Sequence, residues 1–249
     1  MVRKVNKWIL NILLVVGVVV VIYSSYSGIR LYIDNNKTEE MINNIQLEVV
    51  GEVPEVSDSS NNNEVEASKG LELTLDFDKL LKINADTVAW IKVVGTNIDY
   101  PIVQTFDNSY YLNHSFDKSN NQNGWPFLNC GNSSTFDDQN TVLFGHNTNG
   151  TTMFSQLKDI YNGKFGNDIS MYIYLEDKKI EYKVFSIYLE EPSNVASISR
   201  YLSSDFLEES IEKSNIKFGV DVSIDDYILT LSTCNNVTDD RIIMHARKL

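Results

Sequence analysis

Three side chains in this sequence have types suited to acyl-transfer chemistry: Cys234, His146 and Arg241. A cysteine acts as a nucleophile near neutral pH when its thiolate is stabilised. Cys234 closes the run Thr230-Leu231-Ser232-Thr233-Cys234. In a strand, Leu229, Leu231 and Thr233 share one face, and Thr230, Ser232 and Cys234 the other. The first set suits a core. The second, small and polar, suits the floor of a groove with a thiol at its end. A buried structural cysteine is the alternative this pentapeptide leaves open.

An acid–base partner must come from three histidines, His114, His146 and His245. His114 lies in a polar stretch and is expected to face solvent. His245 lies inside the last strand, where a structural role is the default. His146 follows Val142-Leu143-Phe144-Gly145, where a strand stops and a polar loop begins, a common place for function. Taken alone it reads equally as a structural histidine. Arg241 opens the last strand, a short loop after Cys234. If the two strands are neighbours, the loop returns Arg241 towards the thiol. Its guanidinium could then hold an oxygen that becomes negative during acyl transfer. A surface arginine paired with Asp239 or Asp240 is the competing reading, and Arg247, on the same face, is the fallback. Without CxxC, HExxH or a glycine-rich phosphate loop, neither a metal nor another cofactor is expected.

The elements that must position these residues are mostly strands. Asp76 to Asn84 carries Phe77, Leu80, Leu81 and Ile83 at helical spacing. Trp90 to Val94 and Ile98 to Val103 flank Gly95-Thr96-Asn97, a hairpin signal. Thr141 to Phe144 reads as a short strand, and Met153 to Ile160 as one or two helical turns. Ile169 to Leu175 and Ile180 to Leu189 alternate as strands around a polar turn. Ser204 to Ser214 is helical in pattern, and Tyr227 to Thr233 and Ile242 to Ala246 are the last strands. Many short strands with few helices imply an antiparallel sandwich or barrel.

The beginning of the chain sets the compartment. Arg3, Lys4 and Lys7 precede an apolar run from Trp8 to Tyr23. With Ser24 to Ile29 the run reaches about 20 residues, enough for a membrane-spanning helix. The basic flank predicts a cytoplasmic N-terminus and an exported remainder. A cleaved signal peptide is the competing reading. Residues 1–33 are therefore expected as cytoplasmic start and signal anchor. Residues 34–70, rich in Asn, Glu and Ser, read as a flexible extracellular stalk with room for a short helix near Thr38 to Gln46. Residues 71–249 form the folded domain. A net charge of −13 argues against nucleic acid as a partner. Two cysteines are too few for a disulfide scaffold.

His146, Cys234 and Arg241 in that order, with TLxTC before the cysteine and an export anchor, resemble the sortases, cysteine transpeptidases of Gram-positive bacteria. Asp86-Thr87-Val88-Ala89-Trp90-Ile91, Gly95 to Gln104, Asn108-Ser109-Tyr110-Tyr111-Leu112, Gly124-Trp125-Pro126-Phe127-Leu128 and Gly145-His146-Asn147 resemble class B. The resemblance covers roughly Asp76 to Leu249. It implies a closed β-barrel of about eight strands with helices at its edge. It implies that His146, Cys234 and Arg241 are catalytic and that Cys234 attacks a Thr carbonyl in a sorting motif near the C-terminus of a secreted protein. An amine of peptidoglycan or a pilin lysine would resolve the thioacyl-enzyme. Asn108, Leu112, Ser232 and Thr233 would line the peptide groove, with a backbone N–H near Asn235 at the oxyanion. NPxTN-like and PxTG-like motifs are both compatible. Cys130 departs from the pattern, as a redox partner or a bystander. A hydrolysing cysteine peptidase and a non-catalytic cell-surface peptide-binding module are the alternatives.

Overall fold

The computed structural model describes residues 7–51, 74–148, 150–195, 202–234 and 239–249. The chain opens with helix α1 (Lys7–Val49), then β1 (Val50–Gly51), β2 (Thr74–Leu75), α2 (Phe77–Ile83), β3 (Thr87–Val93), β4 (Asp99–Val103), β5 (Phe127–Leu128) and β6 (Asn140–Phe144). There follow α3 (Leu157–Tyr161), β7 (Ser170–Tyr174), β8 (Lys179–Glu190), α4 (Pro192–Val195), α5 (Ser204–Lys213), β9 (Ile228–Cys234) and β10 (Arg241–Lys248).

Strands β3 to β10 close into a barrel in the order β10-β8-β7-β3-β4-β5-β6-β9. The expected eight strands are there, but the sheet is mixed rather than antiparallel. β4 runs parallel to β5 and β6 parallel to β9. Each parallel contact follows from a crossover, because a short turn can join only antiparallel neighbours. Both expected hairpins form, with Ile91 opposite Tyr100 in one and Tyr174 opposite Lys179 in the other. Alternation sends Ala89, Ile91, Val93, Ile173, Leu229, Leu231, Ile242 and Met244 into one buried apolar cluster. Asp76 caps α2 by accepting from the Lys79 N–H at 3.0 Å, as the sequence pattern requires of an N-cap. Ser203 does the same for α5 through the Phe206 N–H at 3.1 Å.

α1 behaves as two segments of one helix. From Trp8 to Ile33 its side chains are almost all exposed, and a stretch of it is long and apolar enough to cross a membrane. Beyond that, Asp34, Thr38, Ile42, Ile45 and Val49 form a buried stripe against the barrel. The intervals of 4, 4, 3 and 4 keep that stripe on one face of a helix with 3.6 residues per turn. The expected stalk therefore divides. Residues 34–51 are ordered and packed on the domain, while residues 52–70 lie outside the described residues. Pairing of Val50 with Leu75 brings the flanks of that interval side by side.

A buried polar network lies under α5. His245 is fully buried on β10, between the rings of Phe185, Tyr188 and Phe206. The Thr230 hydroxyl donates to Asn140 Oδ1 at 2.7 Å and sits 2.8 Å from His245 Nδ1. It therefore accepts Nδ1–H, and Nε2 accepts from the Tyr188 hydroxyl at 3.1 Å. Burial lowers the His245 pKa from 6.5 to about 3. The unfolded chain takes up a proton near pH 6.5 and the folded chain only near 3. This histidine thus contributes stability above pH 6.5 that is lost as the pH falls towards 3, at about 1.4 kcal/mol per pH unit. Urea titrations of the wild type and of His245→Gln between pH 7 and pH 4 should show a shallower acid loss in the variant. Parallel curves would remove His245 from the acid response.

Candidate active site

β6, β9 and β10 are adjacent, and their register brings the expected catalytic residues to one end of the barrel. β9 and β10 pair with Arg241 directly opposite Cys234. Directly opposed positions share a face of the sheet and lie about 5 Å apart at Cα. On the other side of β9, β6 runs parallel with Phe144 level with Ser232. The Gly145 N–H donates to the Ser232 carbonyl at 3.2 Å. His146 stands two residues beyond this last pair of β6, and Cys234 two residues beyond it on β9.

A groove of about 260 Å³ opens over these positions, lined by Asn108, Leu112, Phe127, Phe144, Gly145, His146, Pro192, Ser232 and Arg241. Its walls are carbon at Leu112, Phe127, Phe144 and Pro192, and its polar groups gather where the three strands end. Such a mixture suits an extended peptide held by apolar contact and turned over at a polar point. Asn108 is fixed at the rim. Its Oδ1 accepts from the Cys130 N–H at 2.8 Å and its Nδ2 donates to Asn129 Oδ1 at 3.1 Å. Cys130 is exposed and carries a free thiol.

The His146 ring is held by the loop that carries Leu112. Its Nε2 lies 2.7 Å from the Leu112 carbonyl oxygen. A carbonyl only accepts, so Nε2 carries the hydrogen and Nδ1 is the basic nitrogen of the neutral ring. Gly124, with φ +58°, packs under this contact. A Cβ there would stand 2.3 Å from the Tyr111 oxygen, 2.9 Å from the Leu112 oxygen and 3.0 Å from His146 Cδ2. Gly124→Ala is expected to cost about 1–3 kcal/mol of stability, from the left-handed backbone and the collision together. It should also displace His146. A wild-type-like thermal unfolding midpoint and wild-type-like turnover in the variant would contradict this packing.

The structure separates the three histidines. His146 is the one that lines the groove among the described residues. His114 is half-buried rather than turned to solvent, because it stacks on Tyr110 at 4.0 Å and places Nδ1 2.7 Å from the Tyr110 carbonyl. His245 belongs to the network beneath α5. Of the expected groove residues, Asn108, Leu112 and Ser232 are in place. Thr233 is not: it is buried and, one residue from Ser232, it turns with Leu231 to the barrel interior. Asn235 lies outside the described residues. Arg247 is no substitute for Arg241, being six residues and about 20 Å further along the strand, with its Nη1 donating to the Asp221 carbonyl at 2.9 Å. The sequence reading missed Phe127, Phe144 and Pro192 as groove walls. A proline two residues past the end of a long strand was the available signal for Pro192.

The family model for the sortase domain matches residues 91–249. The chain belongs to the sortase family. Its relatives place it in class B. Sortase B of Staphylococcus aureus is 34% identical over 185 residues, covering 69% of this chain and 73% of that protein. The X-ray structure of Clostridium perfringens sortase B superimposes with a TM-score of 0.65 at 38% identity, over 70% of this chain and all of that one. A crystal structure of sortase B complexed with triglycine superimposes with a TM-score of 0.61 at 32% identity, over 70% of this chain and 85% of that one. The sortase described here is accordingly a cysteine transpeptidase of the sortase B type, built on a closed eight-stranded barrel.

Proposed function

We propose that this sortase is anchored in the cell membrane by α1, with its N-terminus in the cytoplasm and its catalytic domain outside. There it cuts a sorting motif near the C-terminus of a secreted protein after Thr, and joins that protein to an amine of peptidoglycan or a pilin lysine. The observation that carries the reading is the convergence of His146, Cys234 and Arg241 on three adjacent strand ends beside an apolar groove. Arg3, Lys4 and Lys7 ahead of the apolar helix support the orientation. The relative solved with triglycine supports a glycine-type amine as acceptor.

The chemistry runs in two halves. Cys234 gives its thiol proton to His146 Nδ1, and the resulting thiolate attacks the Thr carbonyl carbon, forming a C–S bond and an oxyanion. The Arg241 guanidinium and a backbone N–H near Asn235 hold that oxygen. As the intermediate collapses, the C–N bond breaks and the leaving amine takes a proton from His146. The incoming amine then attacks the thioester carbon and gives a proton to His146. The C–S bond breaks and the thiolate is restored. Because Nε2–H is engaged by Leu112, Nδ1 is the nitrogen that gives and takes this proton.

The full chain in liposomes, incubated with quenched NPxTN-like and PxTG-like peptides with and without triglycine, tests the reading. Cleavage after Thr and a peptide–triglycine product by mass spectrometry are expected. Hydrolysis alone at saturating triglycine would make the protein a peptidase.

A further inference from the structure

Thr38 of α1 is completely buried, and its hydroxyl is a three-way junction. It donates to the Asp34 carbonyl at 2.9 Å. It accepts from Asn121 Nδ2 at 3.0 Å and from Asn123 Nδ2 at 3.1 Å. Three further bonds fasten the same loop to α1, one of them from Asn121 Nδ2 to the Asp34 carbonyl at 3.4 Å. The Gln122 N–H donates to Asp34 Oδ2 at 3.2 Å, and Asn123 Nδ2 donates to Asn35 Oδ1 at 2.9 Å. Asn121 and Asn123 are themselves nearly inaccessible. A buried amide deprived of its partner is costly, so this junction fixes where the loop sits.

The loop so fixed is the one that holds the catalytic histidine. The Asn121 N–H donates to the Asn113 carbonyl at 2.9 Å, and its own carbonyl accepts from the Gly124 N–H at 3.1 Å. The Trp125 N–H donates to the Tyr111 carbonyl at 2.9 Å. Between those two clasps lies Leu112, whose carbonyl oxygen holds His146 Nε2. The Tyr111 hydroxyl ties the other end, accepting from Asn84 and donating to Asp86 at 2.7 and 2.8 Å. An unbroken series of short bonds thus runs from Thr38 to the ring of His146. The helix that begins it is the one whose first half is apolar enough to span a membrane.

We propose that Thr38 is a positioning residue for catalysis, and that the docked half of α1 sets the orientation of His146 through the Asn113–Gly124 loop. The inference rests on the reading of His146 as the acid–base group. Loss of the junction should let the Leu112 carbonyl drift, which misaims Nδ1 while leaving the groove walls at Phe127, Phe144 and Pro192 in place. Proton transfer is sensitive to such displacements, whereas peptide affinity is not.

The full chain in detergent micelles, with ¹⁵N-labelled histidine, gives a direct readout. It has three histidines, and His146→Gln assigns the signal of interest. Thr38→Val should shift or broaden the His146 ring resonances and lower kcat on the quenched NPxTN-like or PxTG-like peptide that the wild type cuts about 10-fold, with KM unchanged. Thr38→Ser should restore both. Asn121→Ala, which breaks the junction from the loop side, should repeat the signature and serves if Thr38→Val fails to fold. Folded variants with an unshifted His146 signal and wild-type kcat would overturn the inference while His146→Gln remains inactive. An active His146→Gln protein would instead overturn the acid–base reading, and this inference with it.

Discussion

The Cys234→Ala protein is expected to cut no sorting peptide and to form no ligated product, a loss of at least about 10⁴-fold in turnover. The substitution removes one sulfur atom at the end of β9. The backbone pairing of position 234 with Arg241 and of Ser232 with Phe144 does not depend on it. Peptide binding should therefore survive, since the walls of the groove are Leu112, Phe127, Phe144 and Pro192. Cys130→Ala is the matched control. Cys130 contributes its backbone N–H to Asn108, and that bond survives loss of the thiol, so its turnover should stay within about twofold of the wild type. Single-turnover assays with hydroxylamine, which captures the acyl group as a hydroxamate, distinguish the variants. Hydroxamate from the Cys234→Ala protein would assign the nucleophile elsewhere, and Cys130 would be the first place to look.

The parts of this architecture legible in the sequence are those governed by local rules. The turn at Gly95-Thr96-Asn97 and the polar turn between β7 and β8 each join strands of alternating character. Alternation also separates Leu229 and Leu231 from Thr230 and Ser232, and so identifies the groove face of β9. Thr233 falls on the interior side by the same rule, so placing it with the groove residues set aside the alternation that the sequence already displayed. The candidate trio was legible because a cysteine at a strand end, a histidine after a strand and an arginine opening the next strand are meaningful together.

What stayed hidden depends on partners far away in sequence. The segment from Asp34 to Val49 is polar enough to read as a stalk, because its buried stripe begins with Asp34 and Thr38. Those side chains become interior groups only when Asn121 and Asn123 stand opposite them. His245 likewise gives no sign of its partners Thr230, Asn140 and Tyr188 until β8, β9 and β10 are laid side by side and α5 closes over them. The parallel pairing of β6 with β9 is the most consequential of these hidden facts. No short-range signal announces it, and it brings the segment that leads into His146 alongside the end of β9.

Arg241→Ala is expected to lower kcat by about 10²–10³ with KM changed less than about threefold. The argument starts from its position. Arg241 begins β10 between two partners, opposite Cys234 on β9 and opposite Glu190 on β8. Its backbone is thus fixed from both sides, and its side chain lines the groove. The register sets Arg241 opposite position 234, and in the proposed mechanism its guanidinium serves the oxygen of the acyl carbon. That oxygen carries full charge only in the tetrahedral intermediates, so the interaction strengthens after binding and appears in kcat. Arg241→Lys discriminates between two roles. A lysine keeps the charge but replaces the planar fork of donors by a compact, strongly hydrated ammonium. If charge alone matters, Lys should recover nearly all activity; if aimed donors matter, it should remain about 10-fold or more below wild type. The second result is the one expected, because a planar guanidinium presents two donors in a fixed fork and a compact ammonium cannot. A variant with unchanged kcat and a raised KM would move Arg241 from the oxyanion to the ground-state binding of the peptide.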